Sequence, residues 1–268
     1  MTTHPNCKIN LGLHVTSRRE DGYHNLETMF VPVPLCDTLT IDPSDSFSFT
    51  QSGIAVDCPP NENICVKAYR MMQTEYPQIG NVHIHLEKKI PFGAGLGGGS
   101  SDASHTILML NSLFNLALGE ETLCAMAKRI GADCPFFILN KPCYATGIGD
   151  QLELLGFQLP TSNFQLLLLK PPVSVSTADA YRGIVPKPSA TDLRQALKEP
   201  VAKWRGLVVN DFETTVFQKY PTTAQLKQML YDYGAVYACM SGSGSAVFGL
   251  FSKLPEETLP YEIYRGNA

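Results

Sequence analysis

The chain contains no Gly-Lys-Ser or Gly-Lys-Thr triplet, so a Walker-type loop is excluded and any phosphate must be held mainly by backbone amides. Its eight cysteines include no C-x-x-C pair, which leaves reduced, buried thiols as the plain reading. No apolar run approaches the length that crosses a bilayer, and the amino terminus lacks the pattern of a secretory signal. Positive charge is also scarce: 21 Lys and Arg stand against 25 Asp and Glu, a formal net charge of −4. That argues against a nucleic-acid surface, which needs a clustered basic excess, but not against a nucleotide whose few charges need only local pairing. Internal repeats and low-complexity segments are missing too. These absences agree with a soluble, cytoplasmic enzyme, for which no membrane or nucleic-acid partner is expected. Its 44% apolar composition supplies the core of two modest domains or one large one.

Against these absences stands an excess of glycine at one place. Residues 91–104 read Pro91-Phe92-Gly93-Ala94-Gly95-Leu96-Gly97-Gly98-Gly99-Ser100-Ser101-Asp102-Ala103-Ser104. Five glycines within seven residues let the backbone take φ > 0 and let a ligand approach the main chain. An apolar helical pattern (Ile107, Leu108, Leu110, Leu113, Phe114) follows at once, and a helix start offers unpaired N–H groups and a positive dipole end. A flexible linker would not lie between two periodic elements. Gly93-x-Gly95-x-x-Gly98 also fits a dinucleotide-binding pattern, but that needs a fully buried parallel strand before it. The preceding run, Val82 to Glu87, alternates and ends in Lys88-Lys89, which predicts a half-exposed strand. The loop therefore reads as an anion cradle, and the anion most worth cradling is a phosphate.

Periodicity gives the architecture. Residues 7–15 alternate, with Ile9, Leu11, Leu13 and Val15 on one face and Lys8, Asn10, Gly12 and His14 on the other. Further strands are predicted at 28–35, 38–42, 46–50, 82–87, 164–169, 235–240 and 245–251. Helices are predicted at 62–76 (with Asn61 as cap), 101–117 and 120–130, then near 177–183, 189–198, 208–219 and 222–232. This mixed order is α+β rather than doubly wound. The Pro- and Gly-rich stretch 141–161 is the candidate boundary, giving domains 1–155 and 156–268. His83 and His85 share a strand face, but no third ligand lies near, so a metal site there is not supported.

Single residues carry two readings each. Lys8 on an alternating strand is a solvated face residue by default, yet it starts a buried-looking strand beside Asn10. Asp133, after Gly131 and before Cys134-Pro135, has the position of a helix cap; a carboxylate so fixed also suits a positioned base. Ser241-Gly242-Ser243-Gly244-Ser245 joins two strands and is longer than a hairpin needs. Its small residues permit close packing against another backbone. Tyr23 and His24 follow the turn Asp21-Gly22, where Tyr23 could simply cover the edge of a core.

Read together, Lys8-Ile9-Asn10-Leu11, Arg18 to His24 with Glu27-Thr28, the glycine loop, Gly131-Ala132-Asp133-Cys134-Pro135 and Ser241 to Ser245 resemble the motifs of the GHMP kinases. This is the superfamily of galactokinase, homoserine kinase and the mevalonate kinases. The match runs in order from about residue 7 to 250, and its Gly-Leu-Gly-Gly-Gly-Ser-Ser core is nearest the branch serving non-mevalonate isoprenoid synthesis. One departure is Asn6-Cys7 where the family has Pro-Ala, which touches strand entry more than chemistry. The resemblance implies an amino-terminal ATP-binding domain with a mixed or antiparallel sheet, a carboxy-terminal α+β domain, and an active site in the cleft between them.

The implied reaction is ATP-dependent phosphorylation, with Mg2+, of the 2-hydroxyl of a cytidine-diphosphate-linked methylerythritol. Lys8 and Asp133 would stand at that hydroxyl. Pro91 to Ser101 and Asn63 would hold ATP, with Asn63 at the adenine. Asn10, Tyr23, His24 and Phe30 would hold the acceptor, Tyr23 stacking on the cytosine, and Tyr181 would close the stack. The protein ligands of the metal stay unknown. A sister kinase of homoserine or mevalonate would share the loops without needing Asp21 to His24. A non-enzymatic ATP-binding module could dispense with Lys8 or Asp133. A nicotinamide dehydrogenase would need the dinucleotide reading of the loop.

Overall fold

A computed structural model describes residues 1–55, 58–189 and 191–267. In chain order the strands and helices are β1 (Thr2–Thr3), β2 (Asn6–Arg18), β3 (His24–Cys36), β4 (Thr38–Pro43), β5 (Ser48–Gly53), α1 (Ile64–Glu75), β6 (Val82–Lys88), α2 (Gly98–Leu113), α3 (Glu120–Ile130) and α4 (Cys134–Leu139). Then come β7 (Cys143–Thr146), β8 (Gln151–Leu154), β9 (Gln165–Leu169), α5 (Thr177–Tyr181), α6 (Leu193–Ala196), α7 (Phe212–Lys219), α8 (Pro221–Asp232), β10 (Tyr237–Met240), β11 (Val247–Phe251) and β12 (Glu262–Asn267). The predicted α+β order holds.

Two compact units divide the chain, and neither is continuous in sequence. The first comprises residues 1–8, 32–92 and 97–141; the second comprises 9–31, 93–96 and 142–268. A single cut at 155/156 does not follow this division, because residues 9–31, 93–96 and 142–155 group with the carboxy-terminal residues, Leu13 and Val15 lying in their core.

The first unit is a four-stranded sheet in the order β1-β4-β6-β5. β4 runs antiparallel to β6 and β5 parallel to it. In β6, Val82, Ile84 and Leu86 face inward while His83 and His85 bond the hydroxyls of Ser48, Thr50 and Ser52 on the other face. The inward face packs with Ile41, Tyr69, Met72, Ile107 and Leu110 into one core. α1 begins two residues later than predicted. Asn63, not Asn61, is its cap, the side-chain oxygen accepting from the Cys65 N–H at 2.9 Å.

The second unit holds an antiparallel sheet, β10-β11-β9-β12. Its core joins Leu13 and Val15 of β2 to Leu167, Phe212, Leu230, Met240 and Phe251. The third sheet, β2-β3-β7-β8, is built on the long strands that pass between the two groups of residues. The helix predicted near 189–198 reduces to Leu193–Ala196; its residue 190 lies outside the described residues. No helix among the described residues is long and apolar enough to cross a membrane.

Candidate active site

The glycine loop leaves β6 and enters α2 three residues earlier than the sequence predicted: the glycines themselves form the first helical turn. Gly97 is the N-cap, in the left-handed region at φ 70°, with no side-chain cap. The first intrahelical bond runs from Ser101 N–H to the Gly97 carbonyl. The amides of Gly98, Gly99 and Ser100 therefore precede it, at the positive end of a 16-residue helix. Ala94 and Leu96 are buried and anchor the loop, Pro91 is half-buried, and Phe92 is 71% exposed. Ser101 is buried with its hydroxyl beside His105, whereas Ser100 is half-exposed at the helix start.

Within the first unit this helix start meets the predicted lysine. A Cβ built on Gly97 would lie 2.9 Å from Phe137 Cζ and 3.1 Å from Lys8 Cε. Only glycine allows the backbone to approach the lysine stem that closely. Lys8 is buried in β2, and its Nζ stands 3.6 Å from Asp133 Oδ2, the two side chains being 4% and 35% exposed. Burial pulls the Lys8 ammonium below its ordinary value, and the Asp133 carboxylate pulls it part of the way back. The capping expectation for Asp133 fails: its backbone is helical (φ −79°, ψ −14°) and its carboxylate makes no cap bond to α4. That carboxylate instead faces Lys8. Pro135 in the first turn needs no N–H partner, which eases the loss of a cap. Ser104 was missed in the sequence: its hydroxyl donates to the Cys134 carbonyl at 2.8 Å and so fixes α4 against α2 beside Asp133.

Within the second unit the backbone that the small residues 241–245 approach is that of the glycine loop. The Ser241 hydroxyl donates to the Gly95 carbonyl at 2.9 Å, and Ala246 N–H donates to the Ala94 carbonyl at 3.1 Å. A Cβ on Gly95, whose φ is +74°, would fall 2.0 Å from the Ser241 carbonyl oxygen. Asn10 is buried here, donating from Nδ2 to the Thr28 hydroxyl at 2.8 Å and from its amide to Ser241 Oγ at 3.3 Å. Thr28, also missed, thereby sets the orientation of the Asn10 amide.

The predicted acceptor residues fall in the second unit and divide. Tyr23 is 62% exposed on a turn closed by the Asp21 carboxylate, which accepts from the Tyr23 N–H at 3.1 Å and pairs with Arg19. The His24 and Tyr181 rings stack at 4.7 Å and 18°, and Tyr181 meets the edge of Phe212 at 4.8 Å. Tyr181 thus joins His24 across 157 residues, and Phe212 supports it, a role with no sequence signal. Phe30 is only 2% exposed, within the run Thr28–Phe30 that is buried throughout. Asn63 is buried, its side-chain oxygen taken by the α1 cap.

Comparison with known proteins agrees with this geometry. The model of the GHMP kinases N terminal domain matches residues 63–141, and that of the GHMP kinases C terminal domain matches residues 187–265. A 4-diphosphocytidyl-2-C-methyl-D-erythritol kinase of Parabacteroides distasonis is 49% identical, covering 94% of this chain and 92% of that one. Its counterpart in Bacteroides fragilis is 48% identical, covering 97% and 94%. A crystal structure of 4-(cytidine 5'-diphospho)-2C-methyl-D-erythritol kinase superposes with a TM-score of 0.78 at 35% identity, covering 93% of this chain and 90% of that one. A homoserine kinase from Cytophaga hutchinsonii, at 19% identity and a TM-score of 0.60, shares the fold alone. With a left-handed glycine loop opening α2, a buried lysine beneath Gly97 and its aspartate partner, the chain belongs to the GHMP kinases, ATP-dependent kinases of small molecules.

Proposed function

We propose that this enzyme transfers the γ-phosphoryl group of ATP to the 2-hydroxyl of 4-diphosphocytidyl-2-C-methyl-D-erythritol. The observation that carries the reading is the juxtaposition of Gly97, Lys8 and Asp133. It sets helix-start amides suited to phosphate beside a lysine–carboxylate pair suited to a hydroxyl. Phosphoryl transfer passes through a loose transition state, so positioning and charge neutralisation do most of the work. Amides from Gly98 to Ser100 would hold phosphate oxygens. Lys8 would hold the acceptor oxygen, and Asp133 would orient the hydroxyl and receive its proton.

Among the described residues no cluster of three or more acidic, His or Cys side chains could cage a metal. That suits Mg2+ carried on the triphosphate, with the half-exposed Ser100 hydroxyl and Asp133 as its candidate protein contacts. When bound, the ion would neutralise charge on the β- and γ-phosphates. Tyr23 and the His24–Tyr181 stack would take the cytosine, a flat ring with a polar edge to be read; Asn10 would be a further contact to the acceptor. The test is a coupled ADP-release assay with the cytidine-linked alcohol, mevalonate and homoserine. The cytidine-linked alcohol should be the preferred acceptor, and Tyr23→Ala should raise its KM on the order of 10-fold, from ~1–3 kcal/mol per stacked base, with the KM for ATP unchanged. Equal use of all three alcohols would overturn the assignment.

A further inference from the structure

The strand before the glycine loop does not end as the sequence suggested. Lys88 continues the inward parity of Val82, Ile84 and Leu86 and is 5% exposed. Its ammonium donates to Asp102 Oδ2 at 2.7 Å and to Asp37 Oδ2. Asp37, fully buried at the β3–β4 junction, accepts with its other oxygen from the amides of Lys89 and Ile90, the latter at 2.8 Å. Asp102 lies in the second turn of α2, equally buried, with Oδ1 unbonded among the described residues. Side-chain space is closed as well: a Cβ on Gly98 would sit 2.8 Å from Ile90 Cγ2 and 3.4 Å from Lys88 Nζ.

We propose that Asp37, Lys88 and Asp102 are positioning residues for the glycine loop, pinning residues 88–90 and 98–102 together so that the amides after Gly97 are preset for the nucleotide's phosphates. Three buried ionisable side chains are an expensive way to fill a core, since well-packed apolar side chains of like volume serve stability as well or better. What the apolar alternative lacks is direction. One ammonium between two carboxylates, one of which also holds two strand-end amides, fixes the segments on either side of residues 91–97 in one geometry. Preorganised amides cost no reorganisation when the phosphate arrives. The cluster touches neither substrate nor reacting atoms in this account; it acts through the loop.

This inference rests on the glycine loop being the phosphate site, and the experiment separates the two. Binding of a non-hydrolysable ATP analogue would be measured by calorimetry, with thermal melts and acceptor KM alongside, in the full-length protein. Lys88→Met/Asp102→Leu removes the ion pair while leaving Asp37 its two backbone donors. It should stay folded with an unchanged acceptor KM, and bind the analogue at least 10-fold more weakly. Should that variant fail to fold, Asp102→Asn, which keeps the shape but can no longer ionise against Lys88, takes its place with an expected loss of at least 3-fold, measured at about pH 8.5 where the parent carboxyl is ionised. A folded variant whose analogue affinity changes less than 3-fold, or whose acceptor KM worsens equally, overturns the proposal. Gly99→Asp tests the underlying reading: a Cβ there meets only Ile64 Cγ2 at 3.9 Å, and an acidic residue suits a helix start. It should keep the fold and abolish analogue binding. If it binds normally, the loop reading fails; if it alone loses binding, only the positioning role fails.

Discussion

The role proposed for Lys8 sets chemistry against stability in a single side chain. Its folded pKa lies below the unfolded value of 10.5 because burial disfavours the ammonium. The folded state therefore binds this proton less readily than the unfolded one. The resulting cost is felt in full at any pH below the folded pKa, and fades as pH rises through that value toward 10.5. Asp133 is a third exposed and can be solvated without its partner. Lys8→Met should accordingly be as stable as the parent or more so in urea unfolding at pH 7, while turnover falls at least ~100-fold, the scale of a lost acid–base or positioning group. Asp133→Ala should depress turnover comparably, and the double variant should lose little more, because residues that act as a unit fail additivity. Two mild and fully additive losses would return Lys8 to a packing role. Gly97 is a poorer probe of the loop, because any Cβ there collides with the buried Phe137 as well as Lys8, so a variant would lose packing together with chemistry.

At the scale of elements, the Lys88 cluster carries a pH signature. Burial, the largest influence, pushes the Asp102 carboxyl up to about 8; Lys88 opposes this and Asp37 adds to it. A carboxyl raised from 3.8 in this way holds its proton in the folded state after the unfolded state has lost it. Its contribution to stability therefore falls as pH rises from about 4 to 8. Asp102→Asn cannot ionise, so relative to the parent it should gain stability between pH 5 and 8 in urea titrations. A stability difference that stays flat across that range would count against Asp102 as the titrating group.

The same strand marks where the sequence was legible and where it was not. Alternation locates β6, and extending its parity by one residue places Lys88 inside, whereas two adjacent lysines by themselves predict a solvated end. Nothing local told of its partners, 51 and 14 residues away. Motif order announced the glycine loop, Lys8 and Asp133; the composition of Ser241 to Ser245 pointed to close packing against a backbone, though not to which one. β7 and β8 escaped notice because four-residue strands flanked by Pro142, Gly147 and Gly149 have too few alternations to register. Phe212 and Thr28 were invisible for another reason: each acts by touching a residue distant in the chain, which no periodicity encodes.

For the molecule as a whole, the discontinuity of the second unit sets what can fold alone. Residues 142–268 include nearly all of its sheet, yet Leu13 and Val15 of β2 belong to its core. Leu13 N–H donates to the Val209 carbonyl at 2.8 Å, and the Leu13 carbonyl accepts from Asp211 at 2.8 Å. A fragment of residues 142–268 should therefore lack cooperative unfolding and bind a hydrophobic dye. Co-expression with residues 1–141 should restore a sharp thermal transition. A fragment that melts cooperatively alone would show that β2 is dispensable to this core.

Those long-range bonds also have a consequence for synthesis on the ribosome. Val15 donates to the Asp211 carboxylate across 196 residues, and at ~5–20 residues per second that partner emerges about 10–40 s after β2. During that interval an alternating strand with Ile9, Leu11, Leu13 and Val15 on one side has left the exit tunnel without the carboxy-terminal core it completes. The nascent chain thus depends on a holding chaperone, or on early pairing of β2 with β3, to keep this strand from other polypeptides until the last third of the protein arrives.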